Sequence, residues 1–353
     1  MFRPTSGCIW NSFQSSGKRH LVITGGRGAG KTTLLWALCP EILPGVTTWA
    51  VPGEGVYLRD NPTGRTVPIG IFDPNLPGTE GKMRPVPEGF SGLGREALIS
   101  AGEAPGEWAS VDEIGYLESK AEDYLSALAR LGERKRLILA VRKPDGALPE
   151  EIARDAFTLD LDRPYGSYGC VILASGLGKR FGGNKLTAPF RGKPLIHWAL
   201  DATEGIFARR VVVTRSQEAA ALCRERGVEV IFHDLSYRSD TIRLGVSQME
   251  DLDGCLFCPA DQPLLRRETV AALALGAVNG PEVILRPAFE DRPGAPVLFP
   301  KWAFPELKNL PQGTGGGYLA RRYAHRVRFL PVEDPRELED VDTREDLARL
   351  SLL

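Results

Sequence analysis

The alternation of apolar and polar positions divides the chain into two successive series of elements. In the first, HLVITG at 20–25 is an unbroken apolar run with the length of one buried strand, followed by glycines and the helical TTLLWAL. A proline- and glycine-dense stretch from residue 40 to about 92 carries shorter strand-like pieces, GVYLRD and TVPIGIFD. WASVDEIG, the amphipathic helix pattern KAEDYLSALARL, the strand RLILAVRK and a last strand FTLDL at 157–161 complete the series. DRPYGSY at 162–168 is polar, bears proline and glycine, and reads as a linker. The rhythm then restarts with CVILAS, PLIHWALDA, RVVVTR, SQEAAALCRER, VEVIF, TIRLGVSQM and CLFCPA. Strands alternating with helices predict α/β domains with largely parallel sheets. The expected division is a first domain over 1–163, with a mostly parallel sheet, and a second over 168–353. The halves are not copies of each other, and no short-period repeat is visible.

Composition changes this picture little. At 353 residues, with 42% apolar and 25% charged positions, the chain has material for two cores. A formal net charge of −1 provides no global field for nucleic acid or an anionic membrane, and neither is expected as a partner. The basic triplet Arg134-Lys135-Arg136 is expected to be a solvated helix end. No apolar run reaches the ~18 residues of a membrane helix. The first residues, MFRPTSGCIWNSF, lack the apolar segment of a signal peptide, so a cytoplasmic protein is expected. Six cysteines are scattered without a disulfide framework. Cys255 and Cys258 have CxxC spacing but fall in a strand-like run and are expected as buried thiols rather than a redox or metal pair. His20, His197, His233 and His325 are isolated and expected to be structural.

Glycine is abundant, 39 residues, and two of its clusters carry candidate chemistry. Gly25-Gly26-Arg27-Gly28-Ala29-Gly30-Lys31-Thr32 satisfies the phosphate-loop pattern GxxxxGK followed by Ser or Thr, between a strand and a helix. Such glycines let backbone N–H groups wrap a phosphate, and the helix N-terminus adds a favourable dipole. Gly25, Gly28, Gly30, Lys31, Thr32 and Thr33 are therefore expected to bind a nucleotide, with Lys31 reaching the β- and γ-oxygens and Thr32 ligating Mg²⁺. Asp112 is expected on the metal side and Glu113 as the group that orients an attacking water. A solvated acidic turn is the alternative for that pair. VDEIGYLES resembles the signature of a small bacterial and archaeal nucleoside-triphosphatase family over roughly 18–161, and implies hydrolysis of ATP or GTP.

The second cluster, Leu173-Ala174-Ser175-Gly176-Leu177-Gly178-Lys179-Arg180, is neither that loop nor a clear dinucleotide fingerprint. Its flexible backbone carries Arg180, then Lys185, two cations able to neutralise a triphosphate and its departing pyrophosphate. ILASGLGKRFGGNKL resembles the opening segment of nucleotidyltransferases that act on the molybdenum cofactor. YRSDTIRLGVS, CPADQPLL, GAPVLFP and EDVDTREDL follow in order and are similar to later motifs of that family. The resemblance covers about 169–350 and implies a Rossmann-like fold.

The implied reaction is attack of a pterin phosphate on the α-phosphorus of a nucleoside triphosphate, with Mg²⁺ at the reacting oxygens and pyrophosphate leaving. By the same resemblance Asp261 holds the metal, with the cap of a turn before Pro263 as its alternative, and Ala174, Ser175, Gly176 and Gly178 cradle the nucleotide. Asp240 and Arg243 touch ribose, base or phosphates, with a helix-start role as their alternative. Ala174-Ser175, in place of two glycines, favours CTP over GTP. One segment departs from the family: where its carboxylate and arginine are usual, this chain has Gly313 and Gly317, and Asp340 or Asp342 is a candidate substitute for the carboxylate. The leading expectation is a molybdenum cofactor cytidylyltransferase-like domain fused to a nucleoside-triphosphatase, with an apo molybdenum hydroxylase as recipient. The alternatives are a nucleotide-driven cofactor carrier or insertion chaperone, and a guanylyl- or sugar-phosphate nucleotidyltransferase.

Overall fold

The computed structural model describes residues 1–39, 41–76 and 82–352, so part of the proline- and glycine-dense stretch lies outside the described residues. The chain forms two compact units. One is Gly17–Pro164; the other joins Met1–Ser16 to the chain from Tyr165 onward. The expected first domain, 1–163, is corrected at its start, because its first sixteen residues belong to the other unit. Both units have the α/β mixed-sheet character, helices lying against sheets that combine parallel and antiparallel strands.

The Gly17–Pro164 unit holds β1 (His20–Gly25), β2 (Gly45–Val51), β3 (Gly55–Asp60), β4 (Thr66–Phe72), β5 (Met83–Pro85), β6 (Trp108–Ile114), β7 (Arg136–Arg142) and β8 (Ala156–Asp160). Their order is β5-β4-β3-β2-β6-β7-β1-β8. All six residues of β1 are buried, as its apolar run requires of a strand flanked on both sides, by β7 and β8. The segment from β2 to β8 through β6, β7 and β1 is parallel, whereas β2-β3-β4-β5 is an antiparallel meander. The sheet is thus mixed rather than mostly parallel. The physical reason is loop length: residues 52–54 and 61–65 are too short for a crossover and join only antiparallel neighbours. The helix Glu122–Arg134 buries Tyr124, Ala127, Leu128 and Leu131, the stripe its periodicity predicts. Lys135, expected in solvent, is instead buried and donates to the carbonyls of Ala104 and Gly106, which follow the helix Arg95–Glu103.

The second unit holds β9 (Tyr168–Ala174), the short pair β10 (Pro189–Phe190) and β11 (Lys193–Pro194), β12 (Arg209–Thr214), β13 (Glu229–Phe232), β14 (Gly254–Pro259), β15 (Ile284–Phe289), β16 (Arg292–Pro293), β17 (Val297–Pro300) and β18 (Val327–Pro331). The main sheet runs β13-β12-β9-β14-β17-β15-β16, with β18 beside β15. The four strands from β13 to β14 are parallel and β17 is antiparallel to β14. The C-terminal ends of β9, β12 and β14 therefore share one edge, where ligands bind in sheets of this kind.

The helix Ser6–Ser16 buries Cys8, Ile9, Ser12, Phe13 and Ser16 and packs against the helix Arg267–Asn279 and β18. Asn11 anchors it, donating to the Pro331 carbonyl at 3.0 Å. Cys255 and Cys258 are fully buried in β14, and burial pushes the Cys258 thiol up to about 12, which keeps it protonated and unreactive.

Candidate functional site

In the first unit the loop after β1 turns through Gly28 and Gly30, whose φ angles of 75° and 95° suit glycine, and Gly30 caps the helix Lys31–Leu38. Lys31 is buried, its ammonium donating to the carbonyls of Gly25 at 3.1 Å and Gly26 at 3.0 Å and lying 3.3 Å from Glu113. Glu113 also pairs with Arg142 at 2.7 Å, and its N–H donates to Thr48 Oγ1 at 2.9 Å. Thr32 Oγ1 donates to Asp112 Oδ1 at 3.0 Å, so the two expected metal-side groups meet. Asp112 Oδ2 is buried without a hydrogen-bond partner; burial raises the Asp112 pKa while the Thr32 bond opposes the shift. An orphaned carboxylate oxygen beside a hydroxyl is a hard-oxygen donor pair that fits Mg²⁺. Thr33 is exposed on the first helical turn. Sequence reasoning missed Thr48 and Arg142, and also Asp162, which accepts the Gly26 N–H at 2.9 Å. Arg142 and Asp162 lie far from the loop in sequence and carry no motif of their own, whereas Thr48 falls in GVTTWAV, a stretch of the nucleoside-triphosphatase resemblance that gives no single residue a role.

The second site is a cavity of about 850 Å³ at the C-terminal edge of β9 and β14. Its loop closes on Gly178, whose carbonyl accepts from Phe181 and Gly182 at 3.0 Å. A side chain at Gly178 would start 2.1 Å from the Gly183 carbonyl, and its φ of 57° also favours glycine. Lys185 emerges beyond the loop, buried, with Nζ 2.5 Å from Asp261 Oδ2, 2.8 Å from the Val341 carbonyl and 3.2 Å from Asp342 Oδ1. Arg180 pairs with the other Asp342 oxygen at 2.9 Å while remaining exposed. Burial alone would lower the Lys185 pKa, but Asp261 and Asp342 outweigh it and the ammonium is held charged.

Asp340 also lines the cavity, and burial of its carboxyl, reinforced by the Asp261 charge, pushes it up to about 6. Three carboxylates thus face one edge of the cavity, a hard-oxygen donor set that fits Mg²⁺ through Asp261 and Asp342. Among the described residues, no three such groups are already drawn together as a cage.

Arg180, Lys185, Asp261, Ser175, Gly176 and Gly178 all line this cavity. Ala174 lies beneath it, buried at the end of β9 with its carbonyl accepting from Thr214. Asp240 and Arg243 do not line it: Asp240 accepts the Tyr237 N–H as a capping box and pairs with Arg243 at 3.0 Å. Helical phase explains the correction, because Arg238, Thr241 and Ile242 take the cavity-facing side of the helix Arg238–Val246. Gly317 lines the cavity; Gly313 is exposed and does not.

His233 is not isolated. Its Nε2 lies 2.8 Å from Ser175 Oγ, which itself donates to the Val213 carbonyl, so the imidazole donates from Nε2. Nδ1 is buried and unpartnered, and burial, with Arg215 nearby, lowers the pKa and keeps the ring neutral. Arg215, also missed, donates to the Ser175 carbonyl through Nε at 3.1 Å and fixes the start of the loop.

The chain is 34% identical over 107 residues to a probable molybdenum cofactor guanylyltransferase of Bacillus licheniformis, a match covering 29% of this chain and 53% of that one. It therefore spans about half the length of that relative. Similarity to the purine catabolism protein PucB of Bacillus subtilis reaches 27% identity over 191 residues, covering 50% of this chain and 92% of that protein. The crystal structure of Rv0371c from Mycobacterium tuberculosis H37Rv is 24% identical, covers 53% of this chain and 98% of its own, and superposes with a TM-score of 0.47. Residues 170–327, which contain the loop closed on Gly178, Lys185 and Asp261, match the MobA-like NTP transferase domain, and part of this stretch is similar to a probable molybdenum cofactor guanylyltransferase.

Proposed function

We propose that the unit from Tyr165 onward transfers a nucleotidyl group from CTP to the phosphate of molybdopterin cofactor. The observation that carries this reading is Lys185, seated between Asp261 and Asp342 with Arg180 beside them, in a cavity bounded by a glycine loop. A phosphate oxygen of the acceptor forms a bond to the α-phosphorus; the bond from that phosphorus to the bridging oxygen breaks, and pyrophosphate leaves with the electron pair. Arg180 and Lys185 offset the charge that builds on the departing group, and the loop N–H groups orient the triphosphate. Asp261 and Asp342 would hold Mg²⁺, which supplies Lewis-acid polarisation of the reacting oxygens when bound. The choice of CTP rests on Ala174-Ser175.

The Gly17–Pro164 unit we infer to bind and hydrolyse ATP or GTP. Support comes from Lys31 within its loop and from the Thr32–Asp112 hydrogen bond of 3.0 Å beside Glu113. In this reading Thr32 and Asp112 would hold Mg²⁺, and Glu113 would orient the attacking water once Lys31 turns from it to the phosphates.

The test uses the full chain with Mg²⁺, molybdopterin cofactor and each nucleoside triphosphate labelled at the α-phosphorus. Label transfer from CTP with pyrophosphate release, lost in Asp261→Ala and retained in Lys31→Ala, is the expected result. Phosphate release alone, lost in Lys31→Ala, would overturn transfer and favour a nucleotide-driven cofactor carrier.

A further inference from the structure

Both carboxylate oxygens of Glu113 are taken by cations that arrive from different elements. Lys31 Nζ lies 3.3 Å from Oε2, and Arg142 Nε lies 2.7 Å from Oε1. The strand order explains the meeting. β7 runs between β6, which carries Glu113, and β1, which feeds the glycine loop. Arg142 is the last residue of β7 and stands in register with Gly25, the last residue of β1. The next N–H, that of Lys143, donates to the Gly25 carbonyl at 3.1 Å, an oxygen that Lys31 Nζ also reaches at 3.1 Å. One strand end therefore touches both the loop and the carboxylate.

The two cations are held differently. The Lys31 ammonium has the Gly25 and Gly26 carbonyls besides Glu113. Arg142 Nε is buried and makes only the charge contact: it is close to Oε1, but its N–H is not aligned for a hydrogen bond. A buried donor left in that state is unfavourable, and an aligned, charge-assisted bond would remove the penalty. Among the described residues no other carboxylate lies within ion-pair distance of Arg142. The main chain of Glu113 is pinned by its N–H bond to Thr48 Oγ1 at 2.9 Å, so its carboxylate moves by side-chain rotation. If Lys31 left for a phosphate with no second cation present, a largely buried carboxylate would stand unpaired, which is costly. Arg142 is the group placed to prevent this.

We propose that Arg142 is a positioning residue that takes over the Glu113 carboxylate as the nucleotide draws Lys31 to its phosphates. The exchange releases the ammonium for binding and keeps Glu113 at the loop, with the oxygen that Lys31 vacates turned free. The proposal rests on reading the Gly17–Pro164 unit as nucleotide-binding. It makes Arg142 act on the nucleotide only through Glu113.

The experiment is a double-mutant cycle on the full chain, with Arg142→Gln, Glu113→Gln and the two combined, each checked by thermal melting. Calorimetric titration with a non-hydrolysable ATP analogue and Mg²⁺ gives the dissociation constant of the binding that Lys31→Ala removes, which separates this loop from the second cavity. Arg142→Gln should weaken that binding about ten-fold, as expected for the loss of one charge-assisted contact, and less than about two-fold when Glu113→Gln is also present. Glu113→Gln alone should bind the analogue more tightly than the unmodified protein, because Lys31 then has no carboxylate to leave. Equal losses in both backgrounds would overturn the proposal by placing Arg142 against the phosphates, and so would no loss in either. Should Arg142→Gln fail to fold, Glu113→Gln decides: tighter binding supports the exchange, and unchanged or weaker binding overturns it. Phosphate release from ATP is followed alongside. Binding of the analogue with no release from ATP removes the hydrolysis reading and leaves the cycle to decide the exchange. No binding to the unmodified protein overturns both.

Discussion

Lys185→Met removes a charge while keeping most of the volume, and its effect can be worked out from the site. The ammonium is buried and sits between Asp261 and Asp342, whose side chains are 22% and 37% exposed. Breaking a fully buried pair costs about 3–5 kcal/mol, because the partner charge is left unpaired. Here water reaches both carboxylates in part, so about 2–3 kcal/mol is the expected loss. For a unit of this size 1 kcal/mol shifts the melting temperature by about 2–4 °C, giving a fall of about 4–12 °C. Mg²⁺ bound between the same carboxylates would restore about 2.7 kcal/mol at a concentration 100-fold above its dissociation constant. In the unmodified protein the cation must first displace the ammonium, so calorimetry should show Mg²⁺ stabilising Lys185→Met more than the parent. Equal stabilisation of both proteins, or of neither, would refute the argument that lysine and metal compete for one pair of carboxylates.

Four further outcomes are expected. Thr32→Val should leave phosphate release from ATP or GTP less than about a tenth of normal at low Mg²⁺, with partial recovery at high Mg²⁺, measured by steady-state phosphate assay. His20, buried with its Nδ1 accepting from the Leu137 N–H, is pushed by burial to about 4. The unfolded chain binds this proton near pH 6.5 and the folded one does not, so stability is full above that pH and falls as pH drops towards 4. The loss should approach about 2–3 kcal/mol, and urea melts of His20→Asn should show a flatter acid limb. Gly178→Ala should abolish nucleotidyl transfer in the label assay, because its methyl meets the Gly183 carbonyl at 2.1 Å. Gly313→Asp should leave transfer unchanged, since that position stands outside the cavity.

The parts legible in the sequence were those in which local spacing dictates chemistry. The pattern from Gly25 to Thr32 set a strand–loop–helix, and Thr32 Oγ1 donates to Asp112 Oδ1 from a separate strand. Arg180, Lys185 and Asp261 reach one cavity although the aspartate follows a different strand, because β9 and β14 pair in parallel and end at the same edge. What was not legible depended on phase and tertiary partners. Asp240 and Arg243 are polar residues at a helix start, and only the packed face of that helix shows that Arg238 and Thr241 point inward. Lys135 looked like a surface charge in a basic triplet; its partners are carbonyls beyond the end of a distant helix. His233 and Ser175 are brought together by the parallel pairing of β13, β12 and β9, for which neither residue carries a local signal.

The assignment of the helix Ser6–Ser16 to the unit that continues from Tyr165 onward has a consequence for synthesis on the ribosome. This helix is made before the Gly17–Pro164 unit, yet its partners, the helix Arg267–Asn279 and β18, are made long after it. Translation proceeds at about 5–20 residues per second, and domains generally fold as they emerge. The Gly17–Pro164 unit can therefore close while Ile9 and Phe13 still lack the surface that buries them. A fragment cut at the apparent linker would lack the helix altogether and bare one face of Arg267–Asn279. Expression of the chain from Tyr165 onward alone should for that reason give aggregated protein, and supplying residues 1–16 as a separate peptide during refolding should recover soluble material.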